Sequence, residues 1–302
     1  MNTRRIMALV LLALLPGAGI SVYFYGTGYL TNIVAATVLG LVLEALCLGL
    51  QRRAVLAAIT DCSTLVTCVL LALALPPQVP FLVLGVAVAA AVILAKHLYG
   101  GLGNNLFNPA VVGYAVVLVS FPSALADWPV PLDGVTNATA LVSLKYREGA
   151  TVAEAWTASG GFGTFGGYGW EWMNFGYLIG GLGLLAARLA AWRIPVTILS
   201  TIGVLALLGY DDGSATSWGS PTYHWLSGAT MLTAFFFATD PVSHPASANG
   251  QFAYAILIGA VIFVVRSLGN YPDGAAFAVL LGNAVSPYLD RKLARVGSRA
   301  GA

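Results

Sequence analysis

Charge is scarce in this chain. Only 9% of its 302 residues are Asp, Glu, Lys or Arg, and 14 Lys and Arg stand against 12 Asp and Glu. No basic cluster occurs outside short loops that flank apolar runs, which excludes a nucleic-acid-binding surface. Cysteine is scarcer still. Cys47, Cys62 and Cys68 all lie inside apolar runs and show no C-x-x-C spacing, so this chain alone builds neither an iron–sulfur nor a zinc site. A structural disulfide is not expected, because lipid-embedded thiols act as small hydrophobes.

Apolar residues fill the space that charge leaves. They make up 58% of the chain, far more than a soluble core needs, and 35 glycines suit close helix packing in lipid. The expected class is an all-α polytopic membrane protein. Ten runs have the length or context of spans, at roughly 6–25, 29–50, 54–75, 80–97, 107–121, 173–190, 194–210, 222–238, 251–268 and 273–289. The basic start Met1–Arg5 before the first run also fits a cleaved signal peptide, but that run is long and a second span follows almost at once.

Lys and Arg set the orientation. With the N-terminus in the cytoplasm, Arg4, Arg5, Arg52, Arg53, Lys96, Arg188, Arg193, Arg291, Lys292, Arg295 and Arg299 fall inside; only Lys145, Arg147 and Arg266 fall outside. Both termini are therefore expected in the cytoplasm and the loop 123–174 outside. Its glycines and aromatics, from Gly160 through Trp172, include candidates for an interfacial belt. Gly103–Ala110 before the fifth run echoes Gly269–Ala275 before the tenth, and Ser63–Thr67 echoes Ala229–Thr233. Each echo spans five runs, an odd number, which predicts two inverted five-helix repeats with short or broken helices. The expected organisation is 1–122 for the first repeat, 123–172 for an external loop, and 173–302 for the second repeat.

The stretch Gly100–Ala110 (GGLGNNLFNPA), with Ser120-Phe121-Pro122, Thr239-Asp240-Pro241-Val242 and Tyr271–Leu281, strongly resembles the NqrB/RnfD family of membrane subunits of ion-pumping respiratory complexes. The short N-terminus looks more like the RnfD branch. The resemblance implies a bacterial inner-membrane subunit of an ion-translocating (proton or sodium) ferredoxin:NAD+ oxidoreductase, not catalytic alone, that works with the other subunits of an Rnf-type complex. It also implies FMN joined through its phosphate to a threonine by a flavin transferase that reads D-x-x-[ST]-[GS]-A-[ST]. The matching residues are Asp133, Thr136, Asn137, Ala138 and Thr139, with Thr139 the acceptor; Asn137 stands where the family has Gly or Ser. An unactivated threonine hydroxyl is a poor nucleophile, so the transferase has to supply base and metal. A second, non-covalent flavin (riboflavin) is also implied, with no residue here that places it.

Other readings compete. Asp133-Gly134 alone reads as a turn, and Asn137-Ala138-Thr139 matches a glycosylation sequon. Ser227-Gly228-Ala229-Thr230 matches the motif core better, yet His224 occupies the Asp position and Thr230 lies in an apolar run; near Thr216, Tyr210 occupies that position.

Intramembrane carboxylates are candidates for an ion path, and here they are Glu44, Asp61 and Asp240. The plainer alternative is helix packing, with Thr60, Ser63, Thr64 or Thr67 satisfying the acid. Arg266 is expected to snorkel to headgroups or neutralise a flavin phosphate, and His97 to anchor at headgroups. The Gly/Asn-rich break at 100–110 either binds a polar ligand or satisfies its own backbone. The rival function is a channel or transporter for a small polar solute, built on a urea-transporter-like inverted repeat; a passive anchor for other subunits is a third.

Overall fold

The computed structural model describes residues 2–99, 103–132, 136–158 and 160–299, and it is mostly helical. Two compact units emerge, one from Met1–Asn137 with Ile179–Leu189, the other from Ala138–Leu178 with Ala190–Ala302. One boundary between them falls within residues 123–172.

In the first unit, α1 (Thr3–Tyr25) and α2 (Gly28–Leu50) are each 23 residues long. On α2 the buried stripe is Tyr29, Asn32, Ala36, Gly40, Glu44 and Leu48, a helical period that includes an amide and a carboxylate. Its outer face carries Val34, Val38, Val42 and Leu46, each at least half exposed. A polar stripe inward and valines outward suit lipid as the surrounding solvent. Asn32 donates to the Pro76 carbonyl at 2.9 Å, which ties α2 to the turn after the next span.

The third run is not one helix. It forms α3 (Val55–Ile59) and α4 (Ser63–Ala74), parted at Thr60–Cys62, where Cys62 adopts φ +65° and Asp61 Oδ1 accepts from the Ser63 amide at 2.7 Å. The fourth run begins as α5 (Phe81–Ala89) and continues as a π-helix over Ala90–His97, a wider turn that re-aims the side chains at its end. Then α6 (Pro109–Ser120) starts with proline in its first turn, capped by Asn108 Oδ1, which accepts from the amides of Ala110 (3.0 Å) and Val111 (3.4 Å). A Cβ on Gly113 would overlap the Ala87 carbonyl, so two helices meet there at backbone distance. After α7 (Pro122–Ala126), β1 (Trp128–Pro129) pairs antiparallel with β2 (Thr136–Asn137).

The second unit opens with α8 (Ala140–Lys145) and α9 (Val152–Ala158). Their apolar faces and Tyr223 form a cluster of Ala140, Leu141, Leu144 and Ala155, flanked by Val152, Trp156 and Phe162. Phe162, expected among belt aromatics, instead stacks on Trp156 with centroids 4.4 Å apart, whereas Phe165 and Trp172 are about half exposed. The chain continues through α10 (Trp170–Ala186), α11 (Arg193–Leu208), the broken eighth run with α12 (Pro221–Trp225), α13 (Thr230–Leu232) and a π-helical turn Thr233–Phe237, then α14 (Ala248–Leu268) and α15 (Ala275–Arg299). Ile194, Ile198 and Ile202 of α11 and Tyr254, Ile258 and Ile262 of α14 are almost fully buried.

Two of the apolar runs are therefore interrupted, at 60–62 and at 226–229. Among the described residues, three helices, α1, α2 and α14, are long and apolar enough to cross a membrane, and several shorter apolar helices accompany them. That composition is consistent with a polytopic membrane protein.

Candidate functional site

Thr139 is the N-cap of α8. Its backbone is extended (φ −67°, ψ 158°), and its Oγ1 accepts from the Val142 amide at a long 3.5 Å. It is half-buried, between exposed Ala138 and buried Ala140, whose carbonyl accepts from the Tyr223 hydroxyl at 3.1 Å. The glycine-rich loop that follows backs this residue. A Cβ at Gly161 would meet the Ala138 carbonyl at 2.9 Å, and one at Gly167 would meet Ala140 Cβ at 3.3 Å. At 161 only glycine lets the loop approach the backbone so closely. Buried Glu171 holds the loop in place by accepting from the amides of Thr164 (3.3 Å), Phe165 (2.8 Å) and Gly166 (3.2 Å). Sequence reasoning missed Glu171. Its one signal was an acid among aromatics at the start of an apolar run.

The rest of the motif is less fully defined. Asp133 lies outside the described residues. Thr136 and Asn137 form the short strand opposite Trp128–Pro129, and their side chains are likewise outside what is described. Of the two competing threonines, Thr230 is fully buried and donates to the carbonyls of His224 (2.7 Å) and Ser227 (3.0 Å). Thr216 is exposed and bonds to Asp211, so only the motif's spacing, not access, separates it from Thr139.

The membrane carboxylates have distinct fates. Glu44 is 2% exposed; Lys96 Nζ lies 3.0 Å from each of its oxygens, and the Thr64 hydroxyl donates to it at 2.6 Å. The same ammonium donates to Ser63 Oγ at 2.9 Å and Thr64 Oγ1 at 2.6 Å. His97 Nε2 is 3.2 Å from Glu44 Oε2 but out of line for a hydrogen bond, and Gln51 Nε2 approaches its Nδ1 at 3.4 Å. Lys96 and His97 are thus buried partners of Glu44. The expectation of His97 as a headgroup anchor is corrected, because at the end of the π-helical turn both it and Lys96 are buried. Thr60 and Thr67 bond to backbone carbonyls. Asp61, half-buried, shapes the break before α4, and Asp240 accepts from the Val242 amide (3.3 Å) and the Ser243 hydroxyl (3.1 Å) in the turn after Phe237.

Arg266 does not snorkel. Its side chain is 1% exposed, pairs with Asp273 through two contacts of 3.1 Å, and donates to the carbonyls of His224 (2.8 Å) and Ser227 (3.2 Å) at the broken eighth run. Asp273 in turn accepts from the Ala229 amide at 3.1 Å. In the Gly/Asn-rich break, Asn105 donates to the Phe107 carbonyl at 3.1 Å and Asn108 caps α6, while Gly100, Gly101 and Leu102 lie outside the described residues. These two asparagines serve their own backbone.

Comparison with known proteins bears on this arrangement. Residues 1–297 match the NQR2, RnfD, RnfE family. The chain belongs to that family. Among its relatives is a protein from Ectopseudomonas mendocina named as the D subunit of an ion-translocating oxidoreductase complex, 43% identical over 307 residues, covering 96% of this chain and 90% of the relative. Proteins of the same name from Aeromonas hydrophila and Vibrio cholerae are 43% and 40% identical, again covering 96% of this chain and 92% and 93% of the relatives. Full-length similarity places the motif loop, the broken runs and the buried ion pairs all inside the matched region.

Proposed function

We propose that this chain is the D-type membrane subunit of an ion-translocating ferredoxin:NAD+ oxidoreductase, with FMN esterified to Thr139 by a flavin transferase. The observation that carries the reading is membership of the family along the whole chain, with relatives named as the D subunits of ion-translocating oxidoreductase complexes. The local fit supports it. Among the described residues Thr139 Oγ1 is engaged only by a 3.5 Å bond, its neighbour Ala138 is exposed, and glycines rather than bulky residues back the segment.

In this reading the protein spans the bacterial inner membrane ten times as two inverted five-helix repeats. Both termini are cytoplasmic, and Thr139 is on the periplasmic side. FMN, when attached, supplies the electron-accepting and electron-donating chemistry. The chain's own contribution is positional: α8 fixes Thr139, and Glu171 fixes the loop behind it. Glu44, Asp61 and Asp240 are candidates for the ion path, with Lys96 now joined to Glu44. Other subunits of the complex are the electron partners, and riboflavin is a candidate second cofactor.

Peptide mass spectrometry of the 123–174 region, from a host that expresses the transferase, tests the reading. An FMN-sized mass on Thr139, with in-gel flavin fluorescence lost in Thr139→Val, is the expected result. An unmodified Thr139 in an active, assembled complex would refute it.

A further inference from the structure

Four oxygens surround the Lys96 ammonium: Glu44 Oε1 and Oε2, each at 3.0 Å, Ser63 Oγ at 2.9 Å and Thr64 Oγ1 at 2.6 Å. All belong to the first unit. Glu44 comes from α2, the hydroxyls from the start of α4, and the ammonium from the π-helical turn. The third run parts at Thr60–Cys62, so α4 begins at Ser63 and its first two side chains both reach Nζ.

An ammonium has three hydrogens and no acceptor, so it has fewer hydrogens than the oxygens that converge on it. The pull of one compact positive charge on oxygen, more than the direction of single hydrogen bonds, sets this shell. The oxygens are prepared for a cation. The Thr64 hydroxyl gives its own hydrogen to Glu44 Oε2 at 2.6 Å, which leaves its lone pairs for Nζ. A carboxylate and two hydroxyls, all buried, make a donor set of the kind that a hard cation accepts in place of water. Two side chains stand between this cage and solvent. His97 Nε2 lies 3.2 Å from Glu44 Oε2, and exposed Gln51 approaches His97 Nδ1 at 3.4 Å.

We propose that these oxygens form a monovalent-cation cage whose resident cation is the Lys96 ammonium, and that Lys96 is thereby the residue that keeps free sodium off Glu44. Sodium could enter only by displacing the ammonium, which would leave a buried charge without its carboxylate. Tethering strengthens the exclusion, because an intramolecular cation competes at a high effective concentration. The bearing of the cage on ion movement rests on the ion path proposed above. The cage itself is tested on the chain alone, so its failure leaves the FMN ester and the place in the complex untouched.

The test follows thermal unfolding of the full chain in detergent, titrated with sodium, methylammonium or choline chloride at matched ionic strength and fixed pH. Methylammonium reproduces the end of a lysine side chain, and choline is too large for the space that end occupies. The wild-type protein is expected to show no saturable preference for sodium over choline. Lys96→Ala removes the resident cation; Lys96→Gln, the milder change, vacates the Nζ position and adds an amide oxygen. In both variants sodium and methylammonium are expected to raise the midpoint saturably, each binding about tenfold or more tightly than choline. Lys96→Gln/Glu44→Gln should lose the effect, since no carboxylate remains to hold a cation. A salt bridge that only pins helices gives no such selectivity, so equal midpoints in the three salts for folded Lys96→Gln would overturn the proposal. Rescue by methylammonium without sodium would also overturn it, because sodium would then be excluded without Lys96. Saturable sodium stabilisation of the wild-type protein that Glu44→Gln abolishes would do the same, since the cage would be open to sodium with Lys96 in place.

Discussion

Lys96 Nζ sits 3.0 Å from both carboxylate oxygens of Glu44, across 52 residues of sequence, with each side chain less than 5% exposed. A buried pair of this kind adds little net stability over an apolar replacement, but losing one member strands the other.

Lys96→Met is therefore expected to destabilise the protein by about 3–5 kcal/mol, the range for uncompensated buried charge. The double variant Lys96→Met/Glu44→Gln should recover most of that loss. A double-mutant cycle on thermal unfolding in detergent measures the coupling; additive losses would show that the pair does not act as a unit.

Arg266 and Asp273 form an unequal pair, because the guanidinium is buried and Asp273 is 22% exposed. Arg266→Met removes the ion pair and also the donors to the His224 and Ser227 carbonyls, an expected cost of about 3 kcal/mol or more. Asp273→Asn should cost less, since water can reach that side. Hydrogen exchange of residues 226–232 is expected to rise in the first variant by more than in the second.

Glu171→Gln replaces a carboxylate that accepts from three consecutive amides. Charged acceptors contribute more than neutral ones, so a loss of about 1–3 kcal/mol confined to the loop is expected. Limited proteolysis within 160–169 should accelerate while global unfolding shifts little. If the loop positions Thr139, the yield of flavin attachment falls with it.

Acid should loosen α9. The exposed Glu154 carboxylate accepts from the Thr151 amide (2.8 Å) and hydroxyl (2.9 Å), which holds its pKa below the ordinary 4.5. A pKa depressed in the folded state gives stabilisation that is full above 4.5 and disappears as pH falls through the lowered value. Amide exchange in α9, corrected for intrinsic rate, is expected to be flat between pH 7 and 5 and to rise below 4.5. Thr151→Ala should remove that pH response.

The apolar helices were legible because period and hydropathy are local properties. Their interruptions were less so. The runs 54–75 and 222–238 read as unbroken, whereas the chain parts at Cys62 and around Gly228, where backbone at positive φ is held by Asp61 and by Arg266 with Asp273. Thr139 could be named from a short motif, yet its role as helix cap and the support from Glu171 depend on a loop that returns some 30 residues later. Arg266 and His97 were read as interfacial because sequence position near a span's end does not say which way a side chain points.

The sequence by itself determined the class of this protein, since apolar runs with so few charges have no stable alternative to helices packed in lipid, and its motifs determined the family. Tertiary structure alone decided how the scarce charges are used. Lys96 joins Glu44 through a π-helical turn, Arg266 closes on a broken helix, and Lys145 and Arg147 gather beside His224. Hydropathy is additive along the chain. The cost of a buried charge depends on partners far apart in sequence, which only the folded backbone brings within 3 to 4 Å.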